Sequence, residues 1–195
     1  MRRKVRDDVL REIGHASTGD RRPNFHAWDL TDADLTHLHL PNVDFSDANL
    51  TGANLHGTAL THSNLTRANL TGAHLDLTSL IRANLTNANL AHADLSWSYY
   101  DPTPLLDTRG LHPGRGIHGI PRDTWDSLLP KDRDTRRIIQ LLLDDWGGTL
   151  RDALATAHRI TPADPDARRL LFTLLADWEG TIEEAAATAE ELHKA

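Results

Sequence analysis

From Leu30 to Leu95 an apolar residue falls on every fifth position without a break: Leu30, Leu35, Leu40, Phe45, Leu50, Leu55, Leu60, Leu65, Leu70, Leu75, Leu80, Leu85, Leu90 and Leu95, with Phe25 and Tyr100 in phase at the two ends. This period matches neither the ~3.6 residues of a helical turn nor the strict alternation of a strand, so neither an amphipathic helix nor a flat sheet buries the pattern. Two residues before most of these positions the side chain is small, as at Ala33, Ala48, Ala53, Ser63, Ala68, Ala73, Ala83, Ala88 and Ala93. Asn or Asp commonly lies between the two, and Thr often follows. A coil that bends after every pentad turns the large and the small residue inward, and stacked coils satisfy one another's backbone groups.

Composition narrows the chemistry. The 195 residues include no cysteine, which excludes disulfides, thiolate catalysis and Cys-type zinc sites. No apolar stretch approaches the roughly 20 residues of a membrane span, and Met1-Arg2-Arg3-Lys4 leads into charged residues, not an apolar signal region. A cytoplasmic protein without membrane contact is expected. The net charge is −7, and only residues 1–24 are basic; residues 25–100 and 121–195 each carry a net −5. Direct nucleic-acid binding needs a basic surface that displaces counterions, and that surface is missing.

Pentads such as Ala48-Asn49-Leu50-Thr51-Gly52 and Ala68-Asn69-Leu70-Thr71-Gly72 resemble the pentapeptide-repeat family, whose pattern is A(D/N)LXX. The resemblance covers about residues 25–100. It implies a β-solenoid, a right-handed quadrilateral β-helix with residues 20 apart stacked in columns, here about four coils and roughly 19 Å tall at the usual strand spacing. The best-understood members of the family imitate DNA and protect or inhibit DNA gyrase and related topoisomerases, using a long acidic tower that dimerises at its C-terminal end. Duplex DNA carries about one charge per 1.7 Å. A net −5 spread over the faces of so short a tower falls well below that, and five of the acids, Asp29, Asp32, Asp34, Asp44 and Asp47, lie near its start.

So short a solenoid depends on its ends. Residues 1–24, with Val5, Val9, Leu10 and Ile13 at helical spacing, are expected to form a capping helix whose Arg2, Arg3, Lys4 and Arg6 neutralise the five acids. At the far end Trp97, Tyr99 and Tyr100 close the repeat and lead into a Pro/Gly-rich connector, 101–130, that folds over the last coil. Residues 131–195 are internally duplicated at an offset of 32, Arg136-Arg137 matching Arg168-Arg169 and Trp146 matching Trp178. Thr149 with Asp152 and Thr181 with Glu184 read as capping boxes, and Pro165 suits the first position of a helix. Two αα-hairpins are expected, with Trp146 and Trp178 as core anchors at the bends and with a route to a homodimer through these helices.

The Gly114-Arg115-Gly116-Ile117-His118-Gly119 match to GxGxxG is read as a loop, because no suitable strand precedes it and Pro121 follows it. A sharper cluster follows from the columns: His56 stacks on Asp76 and His74 on Asp94, flanking one inward Leu. Two imidazoles and two carboxylates would suit Zn²⁺ or Ni²⁺, or a general acid/base pair; a polar ladder on an open wall is the plainer reading, and no metal or other cofactor is assigned. The same wall carries Leu77 and Trp97 at a turn position that otherwise holds small or polar residues. An exposed apolar column beside polar groups marks a docking surface. Leu77, Trp97, His56, His74, Asp76 and Asp94 are therefore the candidate contact residues, for the chain's own helices or for a protein partner. The expected function is a non-catalytic interaction scaffold, with gyrase protection by DNA mimicry, and a role in or beside a biosynthetic enzyme, as the alternatives.

Overall fold

The computed structural model of the protein describes residues 2–17, 22–101, 105–109, 119–120, 122–146, 148–175 and 180–194. From Phe25 onward the backbone turns at every pentad. The second turn residue, from Ala27 to Trp97, has φ between 53° and 65° at all of these positions, and most turns close with a bond such as Ala53 N–H to Leu50 O at 3.0 Å. Positive φ at the third residue alone is the type II pattern. It explains why Gly, Asn, Asp and His dominate there.

Parallel bridges join residues 20 apart, Asn24 to Asp44, Asn49 to Asn69 and Asn69 to Asn89 among them, so the chain is a β-solenoid. Leu30 to Leu95 and both Phe25 and Phe45 are buried at 0–1% exposure, with the small residues beside them. Where the small residue is hydroxylic it stays satisfied: Thr58, Ser63 and Thr78 donate to the carbonyls of Leu35, Leu40 and Leu55 at 2.7 to 2.9 Å.

The Asn/Asp-Leu-Thr pattern has its own logic. The Asn69 carbonyl oxygen accepts from the Thr71 hydroxyl at 2.6 Å, and its Nδ2 donates to Thr51 one coil earlier at 2.9 Å. Asn49 and Asn89 repeat the arrangement onto Thr31 and Thr71. Each Asn thus fixes its own turn and ties it to the preceding coil.

Both ends are capped. Helix α1, Arg2–Ser17, covers the first coil, and Val9 is fully buried with Ile13 packed beside it. Leu10 is 44% exposed and takes no part in the cap; the side chains of Arg2, Arg3, Lys4 and Val5 lie outside the described residues. Within the stack, carbonyls such as Asn54 O and His56 O accept from the coil before them. Asp34 O and Thr36 O, one coil earlier, have no such coil, and the Arg6 guanidinium donates to both at 3.0 Å. An arginine fork thereby replaces a missing strand edge.

Of the five acids expected to be neutralised by the helix, Asp34 meets α1 through Arg6 at 3.3 Å; the part given to Arg2, Arg3 and Lys4 lies outside the described residues. Asp47 instead pairs with Arg67 at 2.6 Å, one coil on. Its carboxyl is held below the usual range chiefly by the hydrogen bond from that guanidinium, and Asp29 chiefly by the Thr31 hydroxyl. Depressed carboxylates stabilise the fold above their unfolded pKa and lose that contribution as pH falls through the folded value. Thermal melts should therefore be flat from neutrality to about pH 4 and fall steeply below it, with a shallower fall in Asp47→Asn. Melts that fall equally steeply in both proteins would remove this pair from the account.

At the other end the repeat returns after a break. Leu105, in phase with Leu85, is fully buried, and Asn87 and Leu90 donate to Asp107 O and Arg109 O at 2.6 and 2.9 Å. The expected connector thus contains an ordered pentad, 105–109, and a helix, α2, Arg122–Leu128.

The helical region follows as α3, Arg133–Trp146, α4, Leu150–Ile160, α5, Pro165–Leu174, and α6, Ile182–Lys194. The Thr149–Asp152 capping box is formed, Thr181 and Glu184 exchange the same two bonds, and Pro165 opens α5 behind the Asp164 N-cap. Trp178, the side chain of Trp146 and Gly114 to His118 lie outside the described residues. The helices join the solenoid through Arg109, bridged to Thr149, and through Arg151, whose amide donates to Leu106 O at 2.8 Å and whose guanidinium pairs with Asp107.

Candidate protein-docking wall

The inward side chains Leu55, Leu75 and Leu95 belong to pentads stacked in three successive coils, and their flanking residues build one wall. On it Nδ1 of His56 meets Oδ2 of Asp76, and the ring of His37 stands edge-on to His56 with centroids 5.1 Å apart. His74 and Asp94 share a parallel bridge, as the column register predicts. Asp94 Oδ1, however, accepts from the amide and hydroxyl of Ser96 at 2.9 and 2.6 Å, as Asp29 and Asp34 accept from Thr31 and Thr36. His37 is the neighbour that column reasoning missed, because a turn side chain leans across to the adjacent column.

Among the described residues no group of three or more His, Cys, Asp and Glu is placed to hold a metal ion. The adjoining cleft, about 600 Å³, is lined by Leu77, Ser96, Trp97, Ser98, Tyr99, Tyr100 and Gly119. Its two serine hydroxyls donate back into the fold, Ser96 to Asp94 and Ser98 to Leu95 O, each at 2.6 Å. The rest of the lining, Leu77, Trp97, Tyr99 and Tyr100, offers aliphatic and aromatic area of the kind that contacts use.

Trp97, at the outward turn position expected of it, and Tyr99 project from the last coil, 81% and 64% exposed, beside Leu77 at 49%. Leu77 and Trp97 also occupy the left-handed turn position, with φ of 57° and 59°, which costs an L-residue about 1–2 kcal/mol. Among the described residues the helices attach to the solenoid through Leu106, Asp107 and Arg109.

Among known proteins, the family described as "Pentapeptide repeats (8 copies)" matches residues 29–67 and 63–98. No curated protein matches the chain. A trypsin-treated form of QnrB1, a plasmid-mediated fluoroquinolone resistance protein, is 18% identical, with 44% of each chain covered and a TM-score of 0.39. Rfr23, a pentapeptide repeat protein from the cyanobacterium Cyanothece 51142, is 32% identical over 47% of this chain and 64% of its own, with a TM-score of 0.37. The pentapeptide repeat protein alr5209 from Nostoc PCC 7120 is 30% identical over 48% of this chain and 85% of its own, with a TM-score of 0.18. This chain therefore spans less than two thirds of the first two proteins. Among the described residues no helix is long and apolar enough to cross a membrane. The five-residue period, the 20-residue bridges and the match over residues 29–98 agree: the chain belongs to the pentapeptide-repeat family.

Proposed function

We propose that the protein is a non-catalytic, cytoplasmic interaction scaffold: a right-handed quadrilateral tower of about four coils over residues 25–100, capped by residues 1–24 and joined by 101–130 to a helical domain, 131–195. Its working face is the wall of Leu77 and Trp97, with His56, His74, Asp76 and Asp94 as the polar rim that a protein partner meets. The C-terminal helices serve to pair two copies of the chain.

One observation carries the reading. Leu77 and Trp97 are large, exposed and held at positive φ, so each is unfavourable twice over in the isolated fold, once for its backbone and once for its surface. Glycine at either position removes both penalties. Leu77→Gly and Trp97→Gly are therefore expected to unfold at the same or slightly higher denaturant, by up to about 1 kcal/mol each, while abolishing partner capture.

The test places a photo-crosslinking residue at position 97, or at the Arg67 turn two corners away, in protein from native extract. A discrete adduct from position 97 alone, lost in Leu77→Gly, supports the wall; equal adducts from both positions sink it. DNA mimicry makes a separate demand, protection of gyrase in a supercoiling assay at stoichiometric ratio. Protection there, unchanged by Leu77→Gly, would replace this reading.

A further inference from the structure

The duplication at an offset of 32 lets each copy show what the other needs for its fold. The loops that open the two hairpins both read Pro-x-Asp, Pro130-Lys131-Asp132 and Pro162-Ala163-Asp164, and an arginine follows four residues later in each, Arg136 and Arg168. These shared residues build the turn. Asp132 accepts from the Thr135 amide at 2.8 Å, and Asp164 from the Asp166 and Ala167 amides at 2.8 and 3.1 Å, so each caps its helix. Each arginine reaches back to a carbonyl of its loop, Pro130 O at 2.5 Å and Ala163 O at 3.2 Å. The copies differ between these points: Lys131 and Arg133 of the first stand where the second has Ala163 and Pro165. Neither cation is needed to form the turn.

The two cations meet in a cleft. Asp126 of α2, Lys131, Arg133 and Arg136 line a hollow of about 460 Å³. Arg136 donates from Nη1 to Asp126 at 2.9 Å and from Nε to Pro130 O, two bonds that fix its guanidinium. Lys131 and Arg133 are exposed, and their side chains have no hydrogen-bond or ion-pair partner among the described residues. Three cations against one carboxylate leave the cleft at +2, within a region, 121–195, whose net charge is −5. Arg133 and Arg136 are also three apart on one helix, a like-charge spacing that is unfavourable without a counterion. The site is made of side chains, because Asp132 already caps the N-terminus of α3.

We propose that this cleft binds a phosphomonoester. Such a group carries about −1.5 to −2 at pH 7 and presents three acceptor oxygens, which matches both the charge of the cleft and its three donors. A carboxylate, with one charge and two oxygens, satisfies only part of the set. Arg133 offers a planar fork and Lys131 a mobile point charge, while Arg136, already held, loses little freedom on binding. The hollow is larger than a bare phosphate and leaves room for the group that carries it. A small molecule and a phosphorylated protein side chain present the same chemistry here. The inference goes beyond the Leu77–Trp97 wall and does not rest on it.

Titration of the isotopically labelled full chain with inorganic phosphate, at constant ionic strength made up with chloride, tests it through amide chemical shifts. Saturable shifts at residues 126 and 131–136 are expected, with a dissociation constant on the order of 1 mM. Lys131→Gln and Arg133→Gln should each weaken binding about threefold, and together about tenfold. Arg169→Gln, at an exposed position of α5, should leave it unchanged, and acetate should bind at least about threefold more weakly than phosphate. Circular dichroism should be the same in every variant, since the substituted side chains are exposed. Shifts that never saturate, shifts that persist in the double variant, or acetate equal to phosphate overturn the proposal. Phosphoserine within an alanine peptide and ribose 5-phosphate then identify the carrier. A gain of about fivefold or more over inorganic phosphate by either one assigns the source; no gain by either means an adventitious ion only, which overturns the proposal as well.

Discussion

Leu70→Ala is expected to lower the unfolding free energy of the solenoid by about 3–4 kcal/mol, enough to move its melting temperature by roughly 15 °C. Leu70 is fully buried between Leu50 and Leu90 in its column. In a helical core the neighbours of such a truncation can partly collapse into the space. Here they are held apart by the backbone: Leu70 N–H bonds Asn89 O and Leu50 N–H bonds Asn69 O, both at 2.8 Å, and these ladders fix the distance between coils. The cavity therefore persists, placing the cost above the lower end of the range of about 2–5 kcal/mol for such substitutions. Leu70→Met, which keeps the volume, should cost less than about 1.5 kcal/mol. Urea titration followed by circular dichroism separates the two. A cost below about 1 kcal/mol for the alanine variant would mean that the column is not the core.

The legible part of the fold is the part in which one geometric rule repeats. A column of leucines 20 apart needs the same residue type at every turn of the coil, so the period appears in the sequence, and the inward positions from Phe25 to Leu95 follow from it. Tyr100 shows the limit: it is in phase yet half-buried, because the next coil is incomplete. Leu105 was also in phase, but Pro102 and Pro104 interrupt the pattern, and a lone pentad has no neighbours to announce it. Its pairing with Asn87 and Leu90 depends on where the chain returns, a tertiary matter.

The hairpin caps were readable because a capping box is local chemistry between residues three apart. The attachment of the helices was not. Arg151 meets Asp107 across 44 positions, and nothing nearby in sequence marks either residue. At the candidate site the columns placed His56 on Asp76 correctly. They gave no sign that Leu77 and Trp97 sit at positive φ, since that follows from the type II turn and not from the inward period.

Gly119→Ala should separate the connector from the last coil. Gly119 has φ of 87°, and a Cβ built on it would lie 2.2 Å from Ser96 N, 2.3 Å from Ser96 Cα and 2.5 Å from Leu95 C. These atoms belong to the backbone of the stack, which its own ladders hold in place, so the glycine must move instead. The expected loss is about 2–4 kcal/mol, the left-handed penalty plus the overlap. Gly72→Ala isolates the first of these: Gly72 also has positive φ, 65°, but nothing lies within 4 Å of its Cβ position, so it should cost only about 1–2 kcal/mol. Because Gly119 lines the cleft beside Trp97, the larger loss should be accompanied by a shift in tryptophan fluorescence and by faster amide exchange at Leu95 and Ser96, with the coils around Leu50 unaffected. Equal losses in the two variants, with no change at Leu95 and Ser96, would mean that the connector does not rest on the last coil and that the cleft is open on that side.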